Sequence, residues 1–222
     1  PFCRKICPFC SFAVCKDHSD LHSKYIKEML KEISIIVEQI EGKNQKVSEL
    51  KKCNGHKLLK SIYFGGGTPS RLDIPKLSKL LSKVREHFAC SKNVEITFEM
   101  NPEDVSPEYL DNLTKIGVNR LSLGGQSFRN SLLRKLGRCH DAFDLRKACD
   151  LIVDSPFQNW NLDLMFGIPG QSVLMFKKDV EAAIDFNPSH ISLYGLEIHE
   201  RTPFGKNLQI CNWVNENHEE YE

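Results

Sequence analysis

A short apolar strand and a glycine turn occupy residues 61–69, which read Ser61-Ile62-Tyr63-Phe64-Gly65-Gly66-Gly67-Thr68-Pro69. Further strands are predicted at 94–99, 120–123, 161–166 and 190–194. Helices are predicted at 21–40, 74–88, 107–116 (with Ser106 as N-cap), 130–136, 142–153 and 173–186. Strands that alternate with helices in this way form right-handed β/α units. We therefore predict an α/β fold with a parallel sheet, either open or curled into a barrel.

Residues that are unusual in a buried sheet fall within or just after the ends of these strands. They are the turn at 65–69, Glu99, Gln126, Asp163 and Glu197. In a parallel β/α barrel, the carboxyl ends of the strands form the face that carries the chemistry. We therefore expect a ligand or cofactor site at this face.

Composition and charge restrict the class of protein. Of 222 residues, 41% are hydrophobic and 27% charged, so the chain can bury one substantial core and is not disordered. The 30 Lys and Arg residues nearly balance the 29 Asp and Glu residues, which leaves no basic field for nucleic acid. The sequence contains no run of about twenty apolar residues, so no transmembrane segment is predicted. The nine scattered cysteines favour a reducing compartment, which we expect to be the cytoplasm, or the mitochondrion in a eukaryote.

The two ends of the chain look incomplete. It opens at Pro1 without an initiator Met or a signal peptide, and residues 212–222 resemble the first turns of an acidic helix that stops. We therefore assign residues 1–205 to one core domain. Residues 206–222 are expected to begin a truncated C-terminal region.

Cys3, Cys7 and Cys10 place three thiolates on one short loop with the spacing Cys-x3-Cys-x2-Cys. Soft sulfur ligands at this spacing suit an iron-sulfur cluster or zinc. Burial as small hydrophobes explains them poorly, because cysteines beside Arg4 and Lys5 show no core-facing periodicity. Three ligands for four irons leave one iron open to a further ligand, as in catalytic metal sites.

Two other ligand sets remain open. Zinc could use Cys7 and Cys10 with His18 and His22, although the seven residues between the two pairs are fewer than in a usual finger linker. An electron-transfer cluster could use Cys15 as a fourth ligand. The two histidines are more simply explained as polar residues near the start of the first helix.

The spacing Cys-x3-Cys-x2-Cys-x-Phe, followed by a strand that ends in Gly-Gly-Gly-Thr-Pro, resembles the radical S-adenosylmethionine superfamily. Four later motifs make the chain similar to the oxygen-independent coproporphyrinogen III oxidase family. They are Glu99-Met100-Asn101-Pro102, Asn119-Arg120-Leu121-Ser122-Leu123-Gly124-Gly125-Gln126-Ser127-Phe128, Leu136-Gly137-Arg138 and Asn161-Leu162-Asp163-Leu164-Met165-Phe166-Gly167-Ile168-Pro169. The matches run in order from residue 1 to about residue 205.

The resemblance implies a partial parallel (β/α) barrel that holds a four-iron, four-sulfur (4Fe-4S) cluster on Cys3, Cys7 and Cys10. S-adenosylmethionine would chelate the open iron through its amino and carboxylate groups, and its reductive cleavage would give a 5'-deoxyadenosyl radical. The positions that match the family's contacts to this cofactor are Phe9, Gly66 and Glu99. The positions that match its contacts to a second S-adenosylmethionine are Gly67, Thr68, Gln126, Arg138 and Asp163.

Residue chemistry alone supports these sites unequally. Three consecutive glycines exceed what a turn needs and favour the close approach of a ligand. Asp163 lies within an apolar strand, where a carboxylate is costly unless it is paired, so a functional role is favoured. A polar loop and a solvated helix end explain Gln126 and Arg138 just as well as a cofactor does.

The sequence Cys10-Ser11-Phe12 departs from the oxidases, which carry a fourth cysteine two positions after the third. This departure resembles the heme chaperone branch of the family, whose members bind heme and pass it to respiratory enzymes. We therefore expect a cluster-bearing heme chaperone whose partners are S-adenosylmethionine, heme, an electron donor and respiratory heme proteins. A coproporphyrinogen oxidase that acts on porphyrinogen, and a non-catalytic zinc or iron-sulfur module, are the alternatives, so enzymatic activity stays open.

Overall fold

The computed structural model describes residues 1–42 and 59–217, and a curled parallel sheet forms its centre. The strands are β1 (Phe2–Cys3), β2 (Cys15–Lys16), β3 (Leu59–Phe64), β4 (Cys90–Met100), β5 (Arg120–Gln126), β6 (Trp160–Phe166) and β7 (His190–Gly195). Strands β3 to β7 stand side by side in chain order, each parallel to the next. This arrangement is the predicted partial barrel.

Helices lie between the strands in the chain. They are α1 (Ser19–Gly42), α2 (Ile74–His87), α3 (Pro107–Ile116), α4 (Asn130–Lys135), α5 (Ala142–Val153), α6 (Val173–Asp185) and α7 (Leu208–Asn217). The hydroxyl of Ser106 accepts a hydrogen bond from the backbone N–H of Tyr109 at 3.2 Å, which confirms the predicted N-cap of α3. Short turns of 3-10 helix at Pro69–Arg71 and Pro102–Asp104 follow β3 and β4.

The two faces of the sheet differ in polarity because side chains alternate along each strand. On one face, Phe98, Leu121 and Leu162 are fully buried in the main apolar core, which the outer helices complete. On the other face, the neighbouring residues of the same strands include Glu99 and Asp163, and both line a cavity. The half-barrel therefore turns a polar surface inward.

The N-terminal segment forms a small parallel pair of its own, in which β1 and β2 are the two strands. Phe2 anchors it, since its ring is 3% exposed and lies 4.4 Å from the ring of His22 on α1. The backbone N–H of Thr68 donates to the carbonyl of Phe2 at 2.9 Å, which joins this pair to the glycine turn. A β-carbon at Gly67 would lie 2.7 Å from the carbonyl carbon of Pro1, so this approach requires glycine.

Several helices and strands are longer than their predicted ranges. Strand β4 begins at Cys90, four residues before its predicted start, and β5 continues to Gln126, three residues beyond its predicted end. The C-terminal helix begins at Leu208, four residues before its predicted start at 212. Residues 43–58 and 218–222 lie outside the described residues, and the second range includes the end of the predicted C-terminal helix.

Residues beyond the predicted boundary at 205 pack against the barrel. Val214 of α7 and Phe204 join Leu136 and Ile168 in a second apolar cluster. The assignment of 206–222 to a separate region remains a prediction. Of the helices in the described ranges, none is both long and apolar enough to cross a membrane.

Candidate functional site

A cavity of about 430 Å³ opens at the carboxyl ends of the strands, beside the N-terminal loop. This volume is in the range of small-molecule binding sites. Its lining includes every site residue predicted from the sequence: Cys3, Cys7, Phe9, Cys10, Gly66, Gly67, Thr68, Glu99, Gln126, Arg138 and Asp163. The fold thus brings together residues from the loop and from four strand ends, while the ligand that each one contacts stays a prediction.

The three cysteines of the loop lie close enough to influence one another. Burial raises the pKa of the Cys3 thiol, and the negative charges of Cys10 and Cys7 raise it further. In the described ranges, no three Cys, His, Asp or Glu side chains converge on the position of a single metal ion. Three neighbouring thiols on one loop are nevertheless a donor set of the kind that can hold an iron-sulfur cluster.

The alternative ligands lie elsewhere. His22 lies in the first turn of α1, where it is 6% exposed, and its Nε2 lies 2.6 Å from Oδ1 of Asp17. The imidazole ring of His22 packs against the ring of Phe2. Residue spacing along the helix does not indicate this contact. Cys15 packs against the main apolar core. Neither side chain lines the cavity that holds the three loop cysteines.

An ionic clamp of Asp17, Arg71 and Asp104 holds the loop from both ends. Arg71 donates to Asp17 from Nε at 2.8 Å and to Asp104 from Nη1 at 3.0 Å. Arg4, between the first two cysteines, donates to the same Oδ1 of Asp104 at 2.7 Å. The backbone N–H of Asp17 donates to the carbonyl of Cys3 at 2.8 Å. Charged hydrogen bonds of this kind are stronger than neutral ones, so they order the loop from within the protein.

Glu99 lies at the end of β4 with both carboxylate oxygens engaged. Oε1 accepts from the hydroxyl of Tyr63 at 2.8 Å, and Oε2 accepts from the backbone N–H of Gly66 at 3.1 Å. Partial burial of the hydroxyl and this hydrogen bond raise the pKa of Tyr63 above its usual range, so the tyrosine stays a donor. Gly66 has φ of 118°, and a β-carbon there would meet no atom within 4 Å. The turn is therefore open toward the cavity beside a fixed carboxylate.

Asp163 is held by a polar network on the inner face of the barrel. Asn161 Nδ2 donates to Asp163 Oδ1 at 2.6 Å and to the hydroxyl of Ser122 at 2.8 Å. Its Oδ1 lies 2.6 Å from Nδ1 of His190 and accepts from the hydroxyl of Ser192 at 2.9 Å. Every donor and acceptor position of the amide is used, so its orientation is unique. Asn161 therefore sets the direction of the Asp163 carboxylate.

The ionisation of Asp163 costs stability. Burial raises the pKa of this carboxyl above its ordinary value, and hydrogen bonds from Asn161 and Ser192 only partly oppose the shift. Since the folded state binds the proton more tightly, the stability present below the unfolded pKa of about 4 is lost as pH rises through the folded pKa.

We expect the Asp163→Asn variant to raise the free energy of unfolding of the cofactor-free protein at pH 7 by about 1–2 kcal/mol. The gain should vanish near pH 3, where the wild-type carboxyl is protonated. Urea unfolding at both pH values measures it. Asp111→Asn, on the surface of α3 in an ion pair with Lys115, is the control and should change stability by a few tenths of a kcal/mol. Destabilisation of Asp163→Asn at pH 7 would contradict the expectation.

Gln126 and Arg138 face the cavity, which removes the alternative of a solvated helix end for Arg138. Gln126 has φ of 69°, and its buried Oε1 has no hydrogen-bond partner among the residues that the structure describes. Arg138 donates from Nη2 to Asn101 Oδ1 at 2.5 Å and to the carbonyl of Gly124 at 2.8 Å. A strained backbone and an orphaned acceptor in a ligand-sized cavity are typical of a binding site.

Gly137 lets the cysteine loop dock beside Arg138. Its φ is 67°, and a β-carbon would lie 2.8 Å from Cδ of Pro8 in the loop. We expect Gly137→Ala to lower the free energy of unfolding by about 1–2 kcal/mol. It should also speed the loss of iron to a chelator, because the substitution pushes the loop away.

The control for Gly137 is Gly170→Ala. Gly170 has φ of 78°, and its added β-carbon would meet only Nζ of Lys135, at the end of a flexible side chain. This variant should lose similar stability in urea while it keeps the wild-type rate of iron loss. Equal rates of iron loss from the two variants would show that Gly137 has no special relation to the loop.

Sequence reasoning missed Asn101, Asn161 and Tyr63, which orient predicted site residues without resembling ligands themselves. One signal was available for Asn101, since an Asn-Pro pair directly after a strand marks a turn at the functional edge of the sheet. Tyr63 lies in an apolar run and looks like a core residue, yet it is 57% exposed.

Comparison with known sequences gives the family and its extent. The Radical SAM superfamily, named for S-adenosylmethionine, matches residues 1–183. The chain is 34% identical over 204 residues to the heme chaperone HemW of Lactococcus lactis, and 34% identical over 206 residues to HemW of Escherichia coli K12. These alignments cover 92% of this chain but 49% and 51% of the relatives, so the chain spans about half of their length.

Solved structures share the fold. Coproporphyrinogen III oxidase (HemN) from Escherichia coli, described as a Radical SAM enzyme, superposes with a TM-score of 0.77 at 22% identity, over 100% of this chain and 50% of that chain. The archaeal Elp3 of Methanocaldococcus infernus gives 0.58 at 23% identity, over 79% of this chain and 43% of that chain. The cofactors of the superfamily are a 4Fe-4S cluster and S-adenosylmethionine, and the cysteine loop and cavity fit both. The chain belongs to the Radical SAM superfamily.

Proposed function

We propose that this chain is the cofactor-binding part of a heme chaperone, a protein that binds heme and transfers it to target proteins. One observation carries the proposal: Phe12 lines the mouth of the cavity and is 68% exposed. The related oxidases have a cysteine at this position. An exposed aromatic ring offers an apolar surface to a flat macrocycle, but it lacks the thiol that the oxidases have at this position. The similarity to heme chaperones over 92% of the chain supports the same assignment.

The residues of the cavity divide into three groups in this proposal. Cys3, Cys7 and Cys10 bind the cluster, which supplies an electron for the reductive cleavage of S-adenosylmethionine. Phe9, Gly66 and Glu99 bind S-adenosylmethionine. The carboxylate of Glu99, held by Tyr63 and the glycine turn, is placed to accept hydrogen bonds from a ribose or an ammonium group. The residues proposed for a second molecule of this cofactor are Gly67, Thr68, Gln126, Arg138 and Asp163.

The second candidate is an oxygen-independent coproporphyrinogen III oxidase, which would convert two propionate side chains to vinyl groups with loss of carbon dioxide. The observation in its favour is the meeting of Gln126, Arg138 and Asp163 in one cavity with the cysteine loop. These are the positions that the oxidase family uses for a second S-adenosylmethionine. Phe12 in place of the fourth cysteine is the reason that we rank the oxidase below the chaperone.

The complete protein, reconstituted anaerobically with iron and sulfide, distinguishes the candidates in one experiment. Heme titration followed by absorption spectroscopy should show saturable binding, and Phe12→Ser should weaken it. Incubation with coproporphyrinogen III, a reductant and S-adenosylmethionine should release no carbon dioxide. Release of carbon dioxide without heme binding would replace the chaperone by the oxidase. Zinc at one equivalent, with no iron or sulfide, would support a non-catalytic module instead.

Partners and location follow from the same proposal. A chaperone of this kind needs an electron donor for the cluster and heme-accepting proteins, which we propose to be respiratory enzymes. Free thiols at eight cysteines of the described residues suit a reducing compartment, so we propose the cytoplasm, or the mitochondrion in a eukaryotic source. Fractionation of cells that express the complete protein, with detection by antibody, tests the location.

A further inference from the structure

A hydrogen-bonded chain of three side chains connects two of the loop cysteines. The hydroxyl of Thr68 donates to Sγ of Cys3 at 3.5 Å, and Nη1 of Arg138 donates to Sγ of Cys7 at 3.7 Å. Asn101 stands between the two donors: its Nδ2 donates to Oγ1 of Thr68 at 3.2 Å, and its Oδ1 accepts from Nη2 of Arg138 at 2.5 Å. One amide therefore touches both groups that reach the sulfurs.

The amide of Asn101 determines where each donor points. Thr68 has a single hydroxyl hydrogen, and since its oxygen already accepts from Asn101, that hydrogen is directed at the sulfur of Cys3. On the other side, both hydrogens of Arg138 Nη2 are engaged, one by Asn101 and one by the carbonyl of Gly124 at 2.8 Å. The plane of the guanidinium is thus fixed, and Nη1 faces Cys7.

The backbone leaves room for this arrangement. A β-carbon at Gly124 would lie 3.2 Å from Oδ1 of Asn101 and 3.3 Å from Nη2 of Arg138, closer than ordinary contacts. The carbonyl of Asn101 accepts from the backbone N–H of Asp104 at 3.0 Å, in the turn that Pro102 begins. The backbone of Asn101 is therefore held in a fixed position directly after β4, and this restrains its side chain.

We propose that Asn101 is a positioning residue that raises the reduction potential of the cluster, acting through Thr68 on Cys3 and through Arg138 on Cys7. Reduction adds negative charge to the cluster and its thiolate ligands, and donors to the sulfurs stabilise the reduced form more than the oxidised form. The positive charge of the guanidinium acts in the same direction. This inference rests on the proposed cluster at the loop cysteines.

The test is the midpoint potential of the cluster in the complete, anaerobically reconstituted protein, measured by an EPR-monitored redox titration without S-adenosylmethionine. We expect Asn101→Ala and Thr68→Val each to shift the reduction equilibrium about tenfold toward the oxidised form, or about 59 mV more negative for one electron. Thr68→Ser keeps the hydroxyl and should restore the wild-type potential. Asn159→Ala, on the exposed turn before β6, is the matched control and should leave it unchanged.

A double variant separates action through Asn101 from independent effects. In the Thr68→Val background, Asn101→Ala should shift the potential by less than it does alone, because only the branch through Arg138 remains to be lost. Wild-type potential in both single variants, with wild-type iron and sulfide, would overturn the proposal. If Asn101→Ala loses its iron, the Thr68→Val and Thr68→Ser pair decides, and equal potentials for the two reject it. Absence of iron in the wild-type protein would instead reject the cluster assignment.

Discussion

Replacement of Cys7 by alanine should leave the anaerobically reconstituted protein with less than about one tenth of the wild-type iron and sulfide, and with no cleavage of S-adenosylmethionine. The reason is that a cluster held by three thiolates loses one third of its protein ligands, and Cys15, the other cysteine close in the sequence, packs against the apolar core. Iron and sulfide analysis, with the visible absorption of the cluster, measures the loss.

Two cysteine variants are the matched controls for this loss. They are Cys15→Ala and Cys139→Ala. Cys15 lies on β2 just beyond the loop and packs against the apolar core, and Cys139 lies on the exposed turn after Arg138. Both should retain wild-type iron. Loss of the cluster from Cys15→Ala would make that residue a fourth ligand and would favour an electron-transfer protein. Retention of the brown colour in Cys7→Ala would refute the ligand assignment itself.

Replacement of Glu99 by glutamine should weaken the binding of S-adenosylmethionine about tenfold to a hundredfold while the iron content stays at the wild-type level. A hydrogen bond to a charged group contributes about 1.5–3 kcal/mol, and 1.4 kcal/mol corresponds to a factor of ten in Kd. The carboxylate is also held in place by Tyr63 and Gly66, so that the amide which replaces it must reorganise two contacts. Equilibrium binding to the reconstituted protein measures the effect.

Position along β4 provides the control for Glu99. Glu95 stands on the same face of the strand, four residues earlier and away from the cavity, so Glu95→Gln should bind the cofactor like the wild type. Tyr63→Phe removes one of the two contacts of the carboxylate and should weaken binding by only a few fold. Wild-type affinity in Glu99→Gln would remove this residue from the proposed site.

Much of the fold was predictable because its signals are local. The apolar run at 61–64 stops where three glycines begin, and Ser106 precedes its helix by one residue, so neither needed knowledge of distant contacts. The cysteine loop is equally compact. Because parallel strands must bring their carboxyl ends to one edge, Glu99 and Asp163 could also be expected to meet.

The rest of the site depends on contacts that form only when the sheet has assembled and curled. Arg138 and Asn101 are 37 residues apart, and nothing near either one distinguishes a buried guanidinium from a solvated one. The burial of His22 was not predictable for the same reason, since its ring packs against Phe2 of β1, twenty residues earlier in the chain. The left-handed backbone of Gln126 likewise lies where the register between β5 and β6 shifts, which the sequence alone does not indicate. The sequence around a polar side chain does not indicate which distant residues it will contact after folding.

The clamp of Asp17, Arg71 and Asp104 has a thermodynamic consequence for the assembly of the cofactor. In zinc fingers the metal must order its own ligands, and folding and metal binding are a single equilibrium. Here three protein side chains, together with Arg4, already restrain the cysteine loop. The conformational entropy of the loop is therefore lost when the chain folds rather than when the cluster arrives. We therefore expect cluster insertion to be separated from folding, so that iron is removed and restored without the protein passing through its unfolded state.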